Sequence, residues 1–184
     1  MPKRDIAYEG NVVDSDSLCT PPTILDPIYE LYEGMIDVDP CSNPHSIVRA
    51  KIAYYTGGLT MPWSANGRVG GPPGNDYENH PYSINDPWMQ KAVYEMKVGH
   101  VRELVVLCMA APSTYWWQGF MIKPRVNPRV VCTGRLKFMG PDGRPMKDTA
   151  RFDTALIYYP SRKSRVAKFD RLFKHVTRWS TWGR

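Results

Sequence analysis

The most apolar run of the chain is residues 104–109 (LVVLCM), and this run constrains the fold more than any other segment. A short run of this kind, with two adjacent valines and no charged side chain, is typical of a central strand buried on both faces. Strands of that type occur in sheets that helices cover on both sides. The run therefore indicates an α/β fold.

Helices and further strands alternate around this run. Pro21 and Pro22 begin a helical pattern that ends at Gly34, and Asp86-Pro87 begins a second helix that ends near Gly99. We expect a further helix over residues 44–55 and one after Ser164. Strands are predicted over residues 35–39, 68–69, 104–109, 130–132, 135–138 and 155–159. The alternation predicts an open, mostly parallel sheet flanked by helices.

The length and composition fit one packed domain. The chain has 184 residues, of which 42% are hydrophobic and 12% aromatic. We expect a single domain over residues 1–184, with a core of about residues 19–160 and a basic C-terminal tail at 161–184. Runs of about 18 apolar residues, which a membrane span needs, do not occur, and the N-terminus lacks the apolar stretch of a signal peptide. A cytoplasmic location is expected.

Basic charge is concentrated at one end of the sequence. Residues 1–120 hold 8 Lys and Arg against 14 Asp and Glu, whereas residues 121–184 hold 16 against 4. A basic half that also carries aromatic residues is suited to phosphate, because Lys and Arg displace condensed counterions from nucleic acid. A solvated basic face with no ligand explains the charge equally well.

The cysteines give no sign of a metal site. Cys19, Cys41, Cys108 and Cys132 are far apart in sequence, and no Cys/His cluster has ligand spacing. We expect reduced thiols and no bound metal.

Two polar segments are candidates for chemistry. The first, Asp37 to Cys41, follows a predicted strand, and ligands of open α/β sheets bind beyond such strand ends. An acid at this position can bond ribose hydroxyls or an amino group. The second, Asn79-His80-Pro81-Tyr82, offers an amide oxygen and a proline carbonyl as acceptors for an exocyclic amine, and a ring that stacks on a base. Either segment alone also fits an ordinary turn.

Taken in order, these segments resemble the phage-type DNA N6-adenine methyltransferases. The similarity covers roughly residues 19–160. It is carried by Thr20-Pro21, Asp37-Val38-Asp39-Pro40, Tyr54-Tyr55-Thr56, Gly58-Leu59, Trp63, Asn79-His80-Pro81-Tyr82, Pro87-Trp88, Lys91-Ala92, Pro112-Ser113-Thr114, Trp116-Trp117, Gly134-Arg135-Leu136 and Phe138.

The resemblance implies a Rossmann-like fold, S-adenosylmethionine as cofactor and DNA as substrate. Asn79, His80, Pro81 and Tyr82 would form the catalytic tetrapeptide. The cofactor would lie against Thr20, Pro21, Asp37, Asp39, Pro40 and Cys41. The DNA surface is expected at Arg125, Arg129, Arg135 and Lys137, or else on the tail around Arg165, Lys168 and Lys174. Duplex and single-stranded substrates both remain open.

Two departures from the family pattern leave alternatives. His80 stands where the tetrapeptide usually has its first proline, and Gly57 where relatives tend to have an acid. A competing register, Gly71-Pro72-Pro73-Gly74, keeps both prolines but lacks the amide and the ring. We prefer Asn79, and expect that proline at position 80 would be tolerated, because it stiffens a turn. A catalytically silent relative that binds nucleic acid or a partner is the alternative function.

Overall fold

The computed structural model describes residues 5–8, 11–14, 17–119 and 128–182 of the chain. The strands are β1 (Asp5–Tyr8), β2 (Asn11–Asp14), β3 (Ile36–Asp39), β4 (Ala50–Ala53), β5 (Gly74–Glu78), β6 (Val101–Met109), β7 (Arg129–Gly134), β8 (Thr154–Tyr159) and β9 (Trp179–Trp182). The α-helices are α1 (Pro22–Tyr32), α2 (Asn85–Lys97), α3 (Tyr115–Trp117) and α4 (Ser164–Phe173), and a 3₁₀ turn spans Tyr82–Ile84.

Strand β6 is the centre of the packing, as its apolar sequence predicts. Its side chains alternate between two cores. Val105 and Leu107 face a core that includes α1 and α4, whereas Leu104, Val106 and Cys108 face a core that includes α2 and α3. Helices therefore cover both faces of the sheet, and the predicted α/β class is confirmed.

The main sheet has the strand order β5-β6-β8-β7-β9. Strand β5 is parallel to β6, while β8 is antiparallel to both β6 and β7, and β9 is antiparallel to β7. The expected mostly parallel sheet is therefore corrected to a mixed one. The physical reason is that β8 follows β7 through residues 135–153 without a crossover helix, and a parallel pair needs such a crossover. Since β6 and β7 both oppose β8, they point the same way.

A parallel pair, β3 and β4, lies beside β5. Asp37 accepts a hydrogen bond from the Asn75 N–H at 2.8 Å. Further along both strands, the Asp39 and Glu78 carboxyl groups lie close enough to interact electrostatically. The contacts therefore advance in the same direction on β3 and β5, which makes the two strands parallel. As a result, the carboxyl ends of β3, β4, β5, β6 and β7 lie at one edge of the sheet.

Three predicted elements were wrong. The segment predicted as a helix, residues 44–55, contains β4, because pairing with β3 outweighs its weak helical pattern. Residues 68–69 belong to turns around Gly67 and Gly70, both at positive φ. The strand predicted over residues 135–138 is a loop, although Leu136 and Phe138 are buried. No helix of the described residues is long and apolar enough to cross a membrane.

The region 161–184, predicted as a basic tail, includes α4, and this helix is fixed to α1 by charged side chains. Phe169 and Phe173 of α4 are fully buried. The Arg165 guanidinium donates to the Leu31 carbonyl at 2.6 Å and to Glu103 at 3.0 Å. The Leu31 carbonyl lies at the C-terminus of α1, where helix carbonyls lack intrahelical partners and a cation is favourable.

We expect Arg165→Ala to lower the free energy of unfolding by about 3 kcal/mol, because it leaves the buried Glu103 carboxylate without its cation. The hydroxyl groups of Tyr158 and Ser161, which also donate to Glu103, would remain. Urea denaturation measures the change. The control is Arg162→Ala, an exposed arginine in the same turn, which should alter stability by less than about 0.5 kcal/mol. Equal effects of the two changes would contradict this account.

Candidate functional site

The candidate site lies where β3 and β5 end side by side. Asp39 is the last residue of β3, and the Asn79–Tyr82 segment directly follows Glu78, the last residue of β5. Ligands of open α/β sheets bind beyond these carboxyl ends. The competing segment, Gly71 to Gly74, leads into β5, whose first residue is Gly74, and therefore lies at the opposite end of this strand.

Asn79 belongs to a chain of hydrogen bonds that reaches the start of α1. Its side-chain nitrogen donates to the Thr20 hydroxyl at 3.1 Å, and this hydroxyl is 2.7 Å from the Tyr77 hydroxyl. The Tyr82 hydroxyl donates to the Asn79 side-chain oxygen at 3.2 Å. The amide therefore has a fixed orientation, with its acceptor oxygen on the side of Tyr82.

His80 points the other way, because successive side chains of an extended segment alternate between faces. It is 2% exposed. Its Nδ1 atom is 2.7 Å from Glu78 Oε1, and its Nε2 atom is 2.9 Å from Asn85 Oδ1. The ring stacks on Trp88 with centroids 6.3 Å apart and planes 6° from parallel. His80 is therefore a buried residue and does not face the open side of the site.

The remaining tetrapeptide residues are partly buried. The Pro81 carbonyl accepts a hydrogen bond from the Ile84 N–H at 3.1 Å, which leaves one lone pair for a ligand. The Tyr82 ring packs edge-on against Phe152 and Phe138, with centroid distances of 5.3 and 6.3 Å. Sequence reasoning did not assign Phe152 to the site. The sequence offers only one indication for Phe152, namely that it is an aromatic residue shortly before the buried strand β8.

A cleft of about 130 Å³ opens beside the end of β3. Its wall consists of the loops after β3 and β4 and one helical side chain: Pro40, Cys41, Ser42, Tyr54, Tyr55, Thr56, Gly57, Gly58, Leu59 and Trp88. A Cβ atom at Gly58 would lie 1.7 Å from the Pro40 carbonyl oxygen, so only glycine permits the two loops to approach this closely. The cleft is smaller than the roughly 300–1,000 Å³ of pockets that enclose a whole ligand. It suits one flat ring of an elongated molecule.

The two acidic residues predicted for the cofactor have different environments. Asp37 pairs with the Lys51 ammonium and bonds the Asn75 N–H, so its carboxylate connects neighbouring strands. Asp39 is 3% exposed and accepts a hydrogen bond from the Cys41 N–H at 3.2 Å. Burial raises the pKa of Asp39 to about 6, while hydrogen bonds from Ser42 and Cys41 act in the opposite direction. Asp39 is the acid of this pair that lies next to the cleft.

The other predicted cofactor residues are divided between the tetrapeptide and the cleft. Thr20 is buried and bonds Asn79, which places it at the tetrapeptide. Pro21 precedes the first residue of α1 and is buried. Pro40 and Cys41 line the cleft. The structure thus brings Asp39, Pro40 and Cys41 together and groups Thr20 with the tetrapeptide.

The predicted DNA-contacting residues are also separated. Arg129 pairs with Asp170 at 2.6 Å and is largely shielded from solvent. Arg135 and Lys137 are exposed and follow β7 at the edge where the tetrapeptide lies. Arg125 lies outside the described residues. On the tail, Arg165 and Lys168 are bonded to α1.

No group of three or more His, Cys, Asp or Glu side chains that could hold a metal ion occurs within residues 17–119 and 128–178.

The protein is a mixed α/β protein with a cleft and polar side chains at adjoining strand ends, which is where ligands of open α/β sheets bind. The sequence model of the family described as DNA N-6-adenine-methyltransferase (Dam) matches residues 10–169. The chain belongs to this family, as the resemblance predicted. A comparison with curated proteins finds no match.

The raised pKa of Asp39 predicts a stability that depends on pH. The folded state binds the Asp39 proton more tightly than the unfolded chain does. The contribution of Asp39 to the free energy of unfolding is therefore fully present below about pH 4 and is lost as pH rises through about 6. Asp39→Asn abolishes this dependence. We expect the variant to gain up to about 3 kcal/mol relative to the parent between pH 4 and pH 7.

Urea denaturation of both proteins at pH 4, 5, 6 and 7 gives the difference in unfolding free energy at each pH. A difference that stays constant across this range would show that Asp39 has an ordinary pKa.

Proposed function

We propose that this protein transfers a methyl group from S-adenosylmethionine to the N6 amino group of adenine in DNA. The observation that carries the proposal is the position of Asn79, Pro81 and Tyr82 at the end of β5, beside the cleft at the ends of β3 and β4. Membership of the DNA N-6-adenine-methyltransferase family supports the same reaction.

The strand arrangement supports a Rossmann-like methyltransferase fold. Strands β4, β3, β5 and β6 are parallel neighbours in that order, and β7 points the same way beyond the reversed β8. Helices α1 and α4 cover one face and α2 the other. This arrangement supports adjoining positions for the cofactor and the acceptor at one edge of the sheet.

The cleft residues fit part of S-adenosylmethionine. Tyr54, Tyr55, Leu59 and Trp88 would hold a flat ring, and the Asp39 carboxylate would accept hydrogen bonds from ribose hydroxyls or an amino group. When bound, this cofactor supplies an electrophilic methyl group. Gly58 keeps the two loops of the cleft wall close together, because any side chain there would collide with Pro40.

The tetrapeptide would hold the target amine. Its N–H groups would donate to the Asn79 side-chain oxygen and the Pro81 carbonyl, which directs the nitrogen lone pair away from both acceptors. The Asn79 oxygen presently accepts from the Tyr82 hydroxyl, so this hydroxyl must share or leave that acceptor when the amine binds. Tyr82 would stack on the extruded base.

Asn79→Ala tests the acceptor assignment, because it removes one of two acceptors for the amine. We expect kcat to fall by about 10² or more, on the scale of losing one preorganised polar group. Affinity for S-adenosylmethionine should change by less than about twofold, since the amide faces the base. The measurement is incorporation of labelled methyl groups into plasmid DNA and into single-stranded DNA of varied sequence.

Pro73→Ala is the matched control, since Pro73 is exposed and lies before β5 in the competing register. It should retain activity. Loss of activity in Pro73→Ala with full activity in Asn79→Ala would move the acceptor site to Gly71–Gly74. No methyl incorporation by the parent protein would refute the proposed reaction. A melting temperature unaffected by S-adenosylmethionine would then favour a silent binding protein, because ligand at about 100 times its Kd adds roughly 2.7 kcal/mol of stability.

The exposed cations after β7 are proposed to bind DNA phosphates. Replacing Arg135 and Lys137 together by Ala should make the log–log salt dependence of DNA binding shallower by about 1.8, because each phosphate that is no longer neutralised reduces the slope by about 0.9. The control is Arg162→Ala with Lys163→Ala, which removes the same charge from exposed residues after β8. Because β8 is reversed, these two lie at the opposite edge of the sheet. If only the control pair changes the slope, DNA binds at that opposite edge.

A further inference from the structure

On the buried side of the tetrapeptide, where His80 lies, hydrogen-bonded side chains link the tetrapeptide backbone to α2. Asn85, in the first turn of α2, donates from its side-chain nitrogen to the Tyr82 carbonyl at 2.6 Å. Its side-chain oxygen lies 2.9 Å from His80 Nε2. His80 in turn contacts Glu78 at 2.7 Å. Glu78, His80, Asn85 and the Tyr82 carbonyl therefore form one continuous hydrogen-bonded chain.

The donors and acceptors of this chain determine where one proton lies. The Tyr82 carbonyl accepts only, so the Asn85 nitrogen must face it and the Asn85 oxygen must face His80. His80 Nε2 therefore carries a hydrogen. The proton between Nδ1 and Glu78 then belongs either to the ring or to the carboxyl group, and both states keep the pair neutral overall.

Burial disfavours any state of the Glu78–His80 pair that carries a net charge. The Glu78 and His80 side chains are fully buried. Burial raises the pKa of Glu78, and the nearby His80 lowers it in part. Removing the shared proton would leave a buried anion, and adding another would leave a buried cation, both of which are costly. The ring is thereby kept as a fixed donor to Asn85.

The same ring also adjoins the cleft. Trp88 stacks on His80 and forms part of the cleft wall. The Tyr82 ring meets the His80 ring edge-on, with centroids 6.2 Å apart. His80 thus contacts Trp88 of the cleft wall and Tyr82 of the tetrapeptide from the buried side. It faces neither the cleft nor the open side of the tetrapeptide.

We propose that His80 is a positioning residue of the acceptor site: through Asn85 it fixes the Tyr82 carbonyl, and thereby the backbone that presents Asn79 and Tyr82. This inference rests on the proposed function. On the opposite side the Asn79 amide is fixed by Thr20, so the tetrapeptide is fixed between two hydrogen-bonded chains. Loss of the His80 chain allows the Tyr82 backbone to shift, and a displacement of about 1 Å can lower turnover by about 10²-fold.

Two substitutions distinguish the roles of the two nitrogen atoms of the His80 ring. His80→Gln has a side chain long enough to place its amide nitrogen near the position of Nε2 and to donate to Asn85. His80→Asn is shorter, reaches the position of Nδ1, and keeps the bond to Glu78 alone. A positioning role predicts that kcat falls by about threefold or less in His80→Gln and by about 10-fold to 10² in His80→Asn.

The melting temperatures of the two variants should follow the reverse order of their kcat values. His80→Gln leaves the buried Glu78 without a partner, so its melting temperature should fall further than that of His80→Asn. The Kd for S-adenosylmethionine and the KM for DNA should stay within about twofold in both variants. If turnover instead declines in proportion to the melting temperature, His80 is only a packing residue and the proposal is wrong.

Asn85→Ala removes the final bond to the tetrapeptide and places a good helix former in α2. It should lower kcat by about 10-fold or more with a smaller loss of stability than His80→Ala. Full kcat in Asn85→Ala would overturn the proposal. His80→Pro, expected from the sequence to be tolerated, should instead behave like His80→Ala, because proline cannot replace the ring's hydrogen bonds.

One measurement does not require activity. In ¹⁵N–¹H spectra of the whole protein, the side-chain amide of Asn79 and the backbone amide of Tyr82 should shift in His80→Asn and Asn85→Ala and stay close to the parent in His80→Gln. Shifts of equal size in all three variants would overturn the positioning role. If the parent methylates no DNA, the proposed function fails, while these spectra still decide whether His80 positions the tetrapeptide.

Discussion

The Asp37 carboxylate connects the strand that ends at the cleft to the strand that ends at the tetrapeptide. One oxygen pairs with Lys51 on β4, and the other accepts the Asn75 N–H on β5. This single side chain thus aligns three strands at the edge of the main sheet. Beside it, the fully buried Asp76 has a pKa well above its usual value, owing first to burial and then to the negative charge of Asp37. Burial and this negative charge both favour the neutral form of Asp76.

Much of the fold was predictable from periodicity, and the missed elements share a physical reason. Strand β6 and helices α1 and α2 carry their own pattern of apolar residues and caps. Strand β5, in contrast, has the sequence Gly-Asn-Asp-Tyr-Glu, with one apolar side chain among polar ones. Its burial depends on partners distant in sequence, such as Asp37 for the Asn75 N–H and Thr20 for the Tyr77 hydroxyl. No local rule predicts a strand whose polar groups are satisfied only after folding.

The site was predictable in part for the same reason. Asn79 and Pro81 could be predicted because acceptor groups can be recognised along the sequence, and Asp39 because it ends a predicted strand. The direction of His80 was not, because it requires knowing that Glu78 and Asn85 lie on the same buried side. Arg129 is predicted as a DNA contact from its charge, and the sequence gives no sign of its pairing with Asp170, 41 positions further along the chain. Charge composition indicates a basic surface but does not show which cations are already neutralised.

The raised pKa of Asp39 has a consequence for ligands. Near pH 6 this carboxyl group is protonated in part of the molecules. A cation that enters the adjoining cleft favours the ionised carboxylate, so its binding releases a proton to solvent. By linkage, the affinity of the cleft for a cation rises with pH through this range, whereas its affinity for a neutral molecule without hydrogen-bond donors does not gain from the ionised carboxylate. The buried acid thus allows the cleft to distinguish ligands by charge, and ambient pH sets how strongly it does so.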